Sequence, residues 1–82
     1  MTREEAKKII EKEQLIGFNW NKERYHKENE VGIIFEDNAW KVYTTDERAS
    51  IVTGSVREYK TEGEALDDFI KRLRADKKLR NL

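Results

Sequence analysis

The sequence predicts an α+β domain: an antiparallel sheet of three to four strands with an N-terminal and a C-terminal helix packed on one face, in the order α-β-β-β(-β)-α. Three observations predict it. The run Val31 to Thr45, VGIIFEDNAWKVYTT, reads as a β-hairpin; each end of the chain carries a T-x-x-E signature ahead of a helical apolar stripe; and the apolar residues between them alternate with period two. At 82 residues the chain makes one domain, residues 1–82.

The first helix starts at Thr2, whose hydroxyl and the Glu5 carboxylate have the spacing of a capping box; Ala6, Ile9 and Ile10 form its apolar stripe, and it ends near Glu13 or Gln14. A first strand follows from Gly17 to about Arg24, with Phe18 and Trp20 on one face. The hairpin comes next. Asp37-Asn38 suits a two-residue type I′ turn, because both residue types tolerate positive φ. Folding there pairs Phe35 with Trp40, Ile33 with Val42 and Val31 with Thr44 on one apolar face. A slip of one residue would turn that whole set to solvent. The opposite face, with Ile34, Lys41 and Tyr43, becomes a candidate working surface.

The loop Asp46-Glu47-Arg48 leads into a last strand, about Ser50 to Tyr59. Val52 and Val56 are expected in its core, and Ile51, Thr53, Ser55, Arg57 and Tyr59 on its outer side. Gly54 is expected to mark a bulge or a close backbone approach. The second helix opens on Thr61 and Glu64, buries Ala65, Leu66, Phe69, Ile70 and Leu73, and places acidic residues in its first turns and basic ones in its last, as the helix macrodipole favours.

The residues that carry chemistry point away from catalysis. There is no cysteine, and His26 stands alone among charged neighbours, where it reads as a surface residue. Ser50 and Ser55 lack the context of a serine nucleophile. Asp67-Asp68 and Asp46-Glu47 are neighbours in sequence, not carboxylates facing across a cleft. No cofactor or metal is expected. The charge, 17 basic against 17 acidic residues, balances to zero, which argues against a general nucleic-acid binder. The basic run from Lys71 to Arg80 reads first as a helix C-terminus. No stretch has the length and apolarity of a membrane span or a signal peptide, so a cytoplasmic location is expected. Function then falls to a surface. Tyr43 and Tyr59, taken as exposed, would form with Ile34, Ile51 and Arg57 a mixed patch of the kind that anchors protein partners.

The order of an N-terminal amphipathic helix, Asn19-Trp20, Val31-Gly32-Ile33, Trp40-Lys41-Val42-Tyr43, Asp46-Glu47-Arg48, then Glu64-Ala65-Leu66 and Phe69-Ile70, resembles the small immunity proteins of bacterial polymorphic-toxin and contact-dependent inhibition systems. The resemblance implies a non-enzymatic protein that binds a cognate toxin domain, often a nuclease with a basic cleft, and occludes it. An acidic edge would steer association with such a cleft. Glu36-Asp37 and Asp46-Glu47 lie at opposite ends of the hairpin, and the second end is preferred, giving Tyr43, Asp46, Glu47, Arg48 and Arg57 as the expected partner-binding residues. Two alternatives stand beside it. The topology is also that of double-stranded-RNA-binding domains, although Glu62, Glu64, Asp67 and Asp68 occupy the helix start where those domains carry basic residues. The other is an adaptor or regulatory subunit, with a homodimer through the open sheet face as one form.

Overall fold

A computed structural model describes residues 1–21 and 27–81. The chain runs α1 (Arg3–Glu13), β1 (Phe18–Trp20), β2 (Val31–Glu36), β3 (Ala39–Thr44), a 3-10 turn (Thr53–Ser55), β4 (Arg57–Tyr59) and α2 (Glu62–Arg80). The α+β layout is the one expected. The four strands lie in the order β1-β2-β3-β4. One pairing corrects the expected antiparallel sheet: β1 runs parallel to β2, with Phe18 beside Val31 and Trp20 beside Ile33, so the sheet is mixed. The strand expected from Gly17 to Arg24 is seen as Phe18–Trp20, and its far end lies outside the described residues, as does His26.

The hairpin forms in the expected register, from Val31 opposite Thr44 to Glu36 opposite Ala39. Asp37 and Asn38 both take the left-handed conformation, with φ of 53° and 60°, which is what a type I′ turn requires. At α1 the capping box is complete, the Thr2 hydroxyl accepting the Glu5 N–H and the Glu5 carboxylate accepting the Thr2 N–H. At α2 only half of that device forms: Thr61 accepts the Glu64 N–H at 3.2 Å, while the Glu64 carboxylate accepts the Thr61 hydroxyl at 3.0 Å.

The α2 stripe of Ala65, Leu66, Phe69, Ile70 and Leu73 is fully buried against Val31, Ile33 and Val42. Phe69 sits at its centre and meets Phe18 and Trp20 edge-on, with ring centroids 6.1 and 5.5 Å away. Two ion pairs clamp α1 beside α2 on the same face of the sheet, Arg3 with Glu62 near both helix starts and Arg74 with Glu13 some three turns on, so the helices run in the same direction.

Three expectations about the core are corrected. Phe35 is 50% exposed: it pairs with Trp40 of β3 on one side, while on the other β1 ends at Trp20 beside Ile33 and the Asn21 side chain accepts the Phe35 N–H. Val52 and Val56 are exposed, since the last strand is broken by the 3-10 turn and shrinks to three residues. Tyr59 turns inward, opposite Trp40 and packed on the core, not outward. Gly54 marks neither a bulge nor a close approach; it lies in the 3-10 turn with open space around it.

Candidate partner-binding surface

The end of the sheet that holds the expected residues is built by the chain doubling back along β3. Asp46 makes the reversal. Its Oδ1 accepts the N–H groups of Arg48 and Ser50 at 2.9 and 3.1 Å, and its carbonyl accepts the N–H of Ala49, which is held at φ 62°. Ile51 then pairs with Thr45, and the Val52 N–H reaches the Thr44 carbonyl at 2.9 Å. The Ser55 hydroxyl accepts the Thr44 N–H at 3.0 Å and donates toward the Val52 carbonyl at 2.6 Å, which locks the 3-10 turn onto β3.

Arg72 of α2 holds this segment from the helix side. One guanidinium nitrogen donates to the Ser55 carbonyl at 2.7 Å, another to Thr44 Oγ1 at 3.2 Å, and the group is ion-paired with Asp68. Asp68 also accepts the Tyr59 hydroxyl at 2.7 Å. That hydrogen bond, with desolvation and the Asp68 charge, raises the Tyr59 phenol above its ordinary pKa.

The expected patch of Tyr43, Tyr59, Ile34, Ile51 and Arg57 does not assemble. Tyr43 is only 5% exposed, a correction to its reading as a surface aromatic: its ring lies across Gly32, where an added Cβ would stand 2.1 Å from the ring. Next to it the far sheet face is sealed by polar bonds. The Glu30 N–H donates to Thr45 Oγ1 at 2.8 Å, that hydroxyl donates to the Lys27 carbonyl at 2.6 Å, and Asn19 Nδ2 donates to Glu30 Oε1 at 3.2 Å. The face expected to be open is therefore closed at this end. Tyr59 is on the helix side, and Ile34 lies toward the hairpin tip beside Lys41.

Asp46 is half-buried with its carboxylate engaged by the loop, while Glu47, Arg48 and Arg57 are exposed. Ile51 is 40% exposed, as expected; what sequence reasoning missed is the exposure of Val52 and Val56, at 43% and 40%. Thr53-Gly54-Ser55, a run of turn formers inside an apparent strand, is the signal that would have found it.

Elsewhere, acidic charge gathers at the hairpin tip. Lys41 Nζ lies 3.3, 3.4 and 3.8 Å from carboxylate oxygens of Glu36, Asp37 and Glu58. Desolvation opposes the Lys41 charge, but the bonds and charges of Glu36 and Asp37 outweigh it and raise its pKa. A groove of about 630 Å³ runs between α1 and β1, over Ile10, Phe18 and Trp20, with Arg3 and Glu62 paired at its rim. Among the described residues no His, Cys, Asp and Glu side chains cluster to hold a metal ion, and no helix is long and apolar enough to cross a membrane.

The family model for immunity protein 59 matches residues 3–80, almost the whole chain. The chain belongs to the Immunity protein 59 family. No curated protein and no solved structure matches it. The match runs from the start of α1 to the end of α2, so both helices and every strand fall within the Immunity protein 59 domain. The resemblance drawn from the helix and hairpin motifs is thereby borne out at the level of an immunity protein.

Proposed function

We propose that this Immunity protein 59 family member is a non-enzymatic inhibitor that binds a cognate bacterial toxin domain in the cytoplasm and neutralises it by occlusion. The observation that carries the reading to a surface is the exposure of Val52 and Val56 on the segment that doubles back along β3, with the exposed charges of Glu47, Arg48 and Arg57 on either side in the chain. Exposed aliphatic side chains with arginines nearby in the chain have the composition of a protein interface. Asp46 shapes the loop, and Tyr43, whose ring lies across Gly32, has a structural role in the sheet. The segment is also preorganised: Ser55 and Arg72 hold it before any partner arrives, which limits the ordering cost of binding.

The test is affinity capture with the tagged protein, followed by an activity assay of the captured domain. The reading expects a toxin domain that is lethal or enzymatically active alone and silent when the complex forms. Capture of RNA, or of a metabolic enzyme whose activity is unchanged by the protein, would contradict it.

A further inference from the structure

We propose that the outer edge of β1, together with the groove between β1 and α1, docks an extended segment of the toxin domain, which adds to the sheet as a fifth strand. The proposal rests on the immunity reading and goes beyond it, because this edge lies across the sheet from β4, the strand that Val56 leads into.

The backbone of β1 is set for such an addition. β1 stands at one end of the strand order, with β2 as its single strand neighbour. The Val31 N–H donates to the Gly17 carbonyl at 2.9 Å, and the Asn21 N–H donates to the Ile33 carbonyl at 2.6 Å. In a parallel pair, alternate residues direct their backbone groups toward the neighbour. Gly17, Asn19 and Asn21 therefore face β2, and Phe18 and Trp20 turn their N–H and C=O groups to the outer edge. Among the described residues none bonds to those outward groups. The edge also lacks the usual protection. β4, at the other end of the sheet, carries the exposed charges of Arg57 and Glu58, which discourage pairing by another chain, whereas Phe18, Asn19 and Trp20 carry none.

The groove gives the added strand a place for its side chains. Phe18 and Trp20 share the helix side of the sheet, where both rings pack edge-on against Phe69 and are fixed before any partner arrives. Their outer sides, with Ile10 of α1, line about 630 Å³ of open space. A strand beside β1 sends every second side chain to that same side, into the groove. Backbone bonds at the edge then give affinity, and the apolar groove selects aliphatic or aromatic residues at alternate positions.

Charge at the rim completes the match. Arg3 and Glu62 pair with each other. Lys7 and Glu11 line the groove, are exposed, and have no ion pair or side-chain hydrogen bond among the described residues. They are four residues apart on α1, about 6 Å, which is close to the spacing of alternate side chains on a strand. The complementary segment brings an acidic residue toward Lys7 and a basic one toward Glu11.

The experiment measures amide hydrogen exchange, residue by residue, in the unmodified protein alone and bound to the captured toxin domain, whose identity is established by its activity. The Phe18 and Trp20 amides are expected to exchange freely in the protein alone and at least about tenfold more slowly in the complex. Ile10→Trp, which fills the groove from α1, should weaken toxin binding about tenfold or more. The exposed double variant Lys7→Glu/Glu11→Lys serves if Ile10→Trp disturbs folding, and should weaken binding about threefold or more. A complex that forms with unchanged exchange at both amides overturns the strand addition and leaves the immunity reading intact. Protection that grows with the concentration of the protein alone assigns the edge to a second copy and likewise overturns it. No toxin domain bound by the unmodified protein overturns both.

Discussion

The Tyr59 hydroxyl donates to Asp68 at 2.7 Å, and the same carboxylate holds Arg72, whose remaining nitrogens reach Thr44 and the Ser55 carbonyl. Two paired side chains of α2, Asp68 and Arg72, thus link β4, β3 and the turn between them. Asp68 and Arg72 are both largely shielded, so removing the carboxylate leaves a guanidinium half-satisfied away from water. Asp68→Ala is expected to cost about 3 kcal/mol in urea unfolding, and Tyr59→Phe about 1 kcal/mol. Equal and negligible losses in both would show that the link contributes nothing.

Gly32 and Tyr43 form the second relationship open to test. A methyl at Gly32 would occupy the space of the Tyr43 ring, so Gly32→Ala should destabilise by about 1–3 kcal/mol. In a Tyr43→Ala background the same change should cost far less, a non-additivity that a double-mutant cycle measures directly. Additive costs would mean that the contact is not the reason for glycine.

The loop under the proposed interface predicts opposite effects at two neighbouring positions. Ala49 sits at φ 62°, a conformation that disfavours a Cβ, and Ala49→Gly should stabilise by about 0.5–1 kcal/mol. Asp46→Ala removes two loop hydrogen bonds and should destabilise by about 1 kcal/mol. Thermal denaturation of both variants settles the pair of signs.

Acid and alkali probe different contacts. The hydrogen bond from Arg74 and the surrounding positive charge hold the Glu13 carboxyl below its usual value of 4.5, despite some desolvation. A lowered folded-state pKa gives stability that is present above 4.5 and is lost as pH falls through the folded value. Glu13→Gln should therefore flatten the acid limb of the stability profile. Tyr59 behaves in the reverse sense. Its folded pKa lies above 10, so its contribution is complete below pH 10 and disappears as pH rises through the raised value. In a tyrosine absorbance titration, the phenol lost in Tyr59→Phe should be a late-ionising one, and it should move down toward 10 in Asp68→Asn.

The legible parts of the fold were those governed by local chemistry. Thr2 and Thr61 marked the helix starts, the α2 stripe marked the core, and Asp37-Asn38 set the hairpin register pair by pair. The parallel β1 pairing depends on where a distant strand docks, which alternation alone does not specify. Tyr43 was assigned to the correct face and the wrong environment, because its burial follows from the space above Gly32 and from the bonds joining Thr45 to Glu30 and Lys27. At β4 the choice of inward residues hung on parity across a segment that the 3-10 turn interrupts, so Tyr59 and the two valines exchanged roles. Of the surface itself, the exposure of Ile51 and Arg57 is legible from alternation along the chain, and that of Val52 and Val56 emerges only with the fold.

The most direct measurement is protection in living cells. The captured toxin domain is expressed under an inducible promoter with the unmodified protein, with Val52→Asp/Val56→Asp, or alone, and survival is counted after induction. The account predicts death with the toxin alone, survival with the unmodified protein, and loss of protection by the double variant at equal protein level. Equal killing with and without the unmodified protein would contradict it.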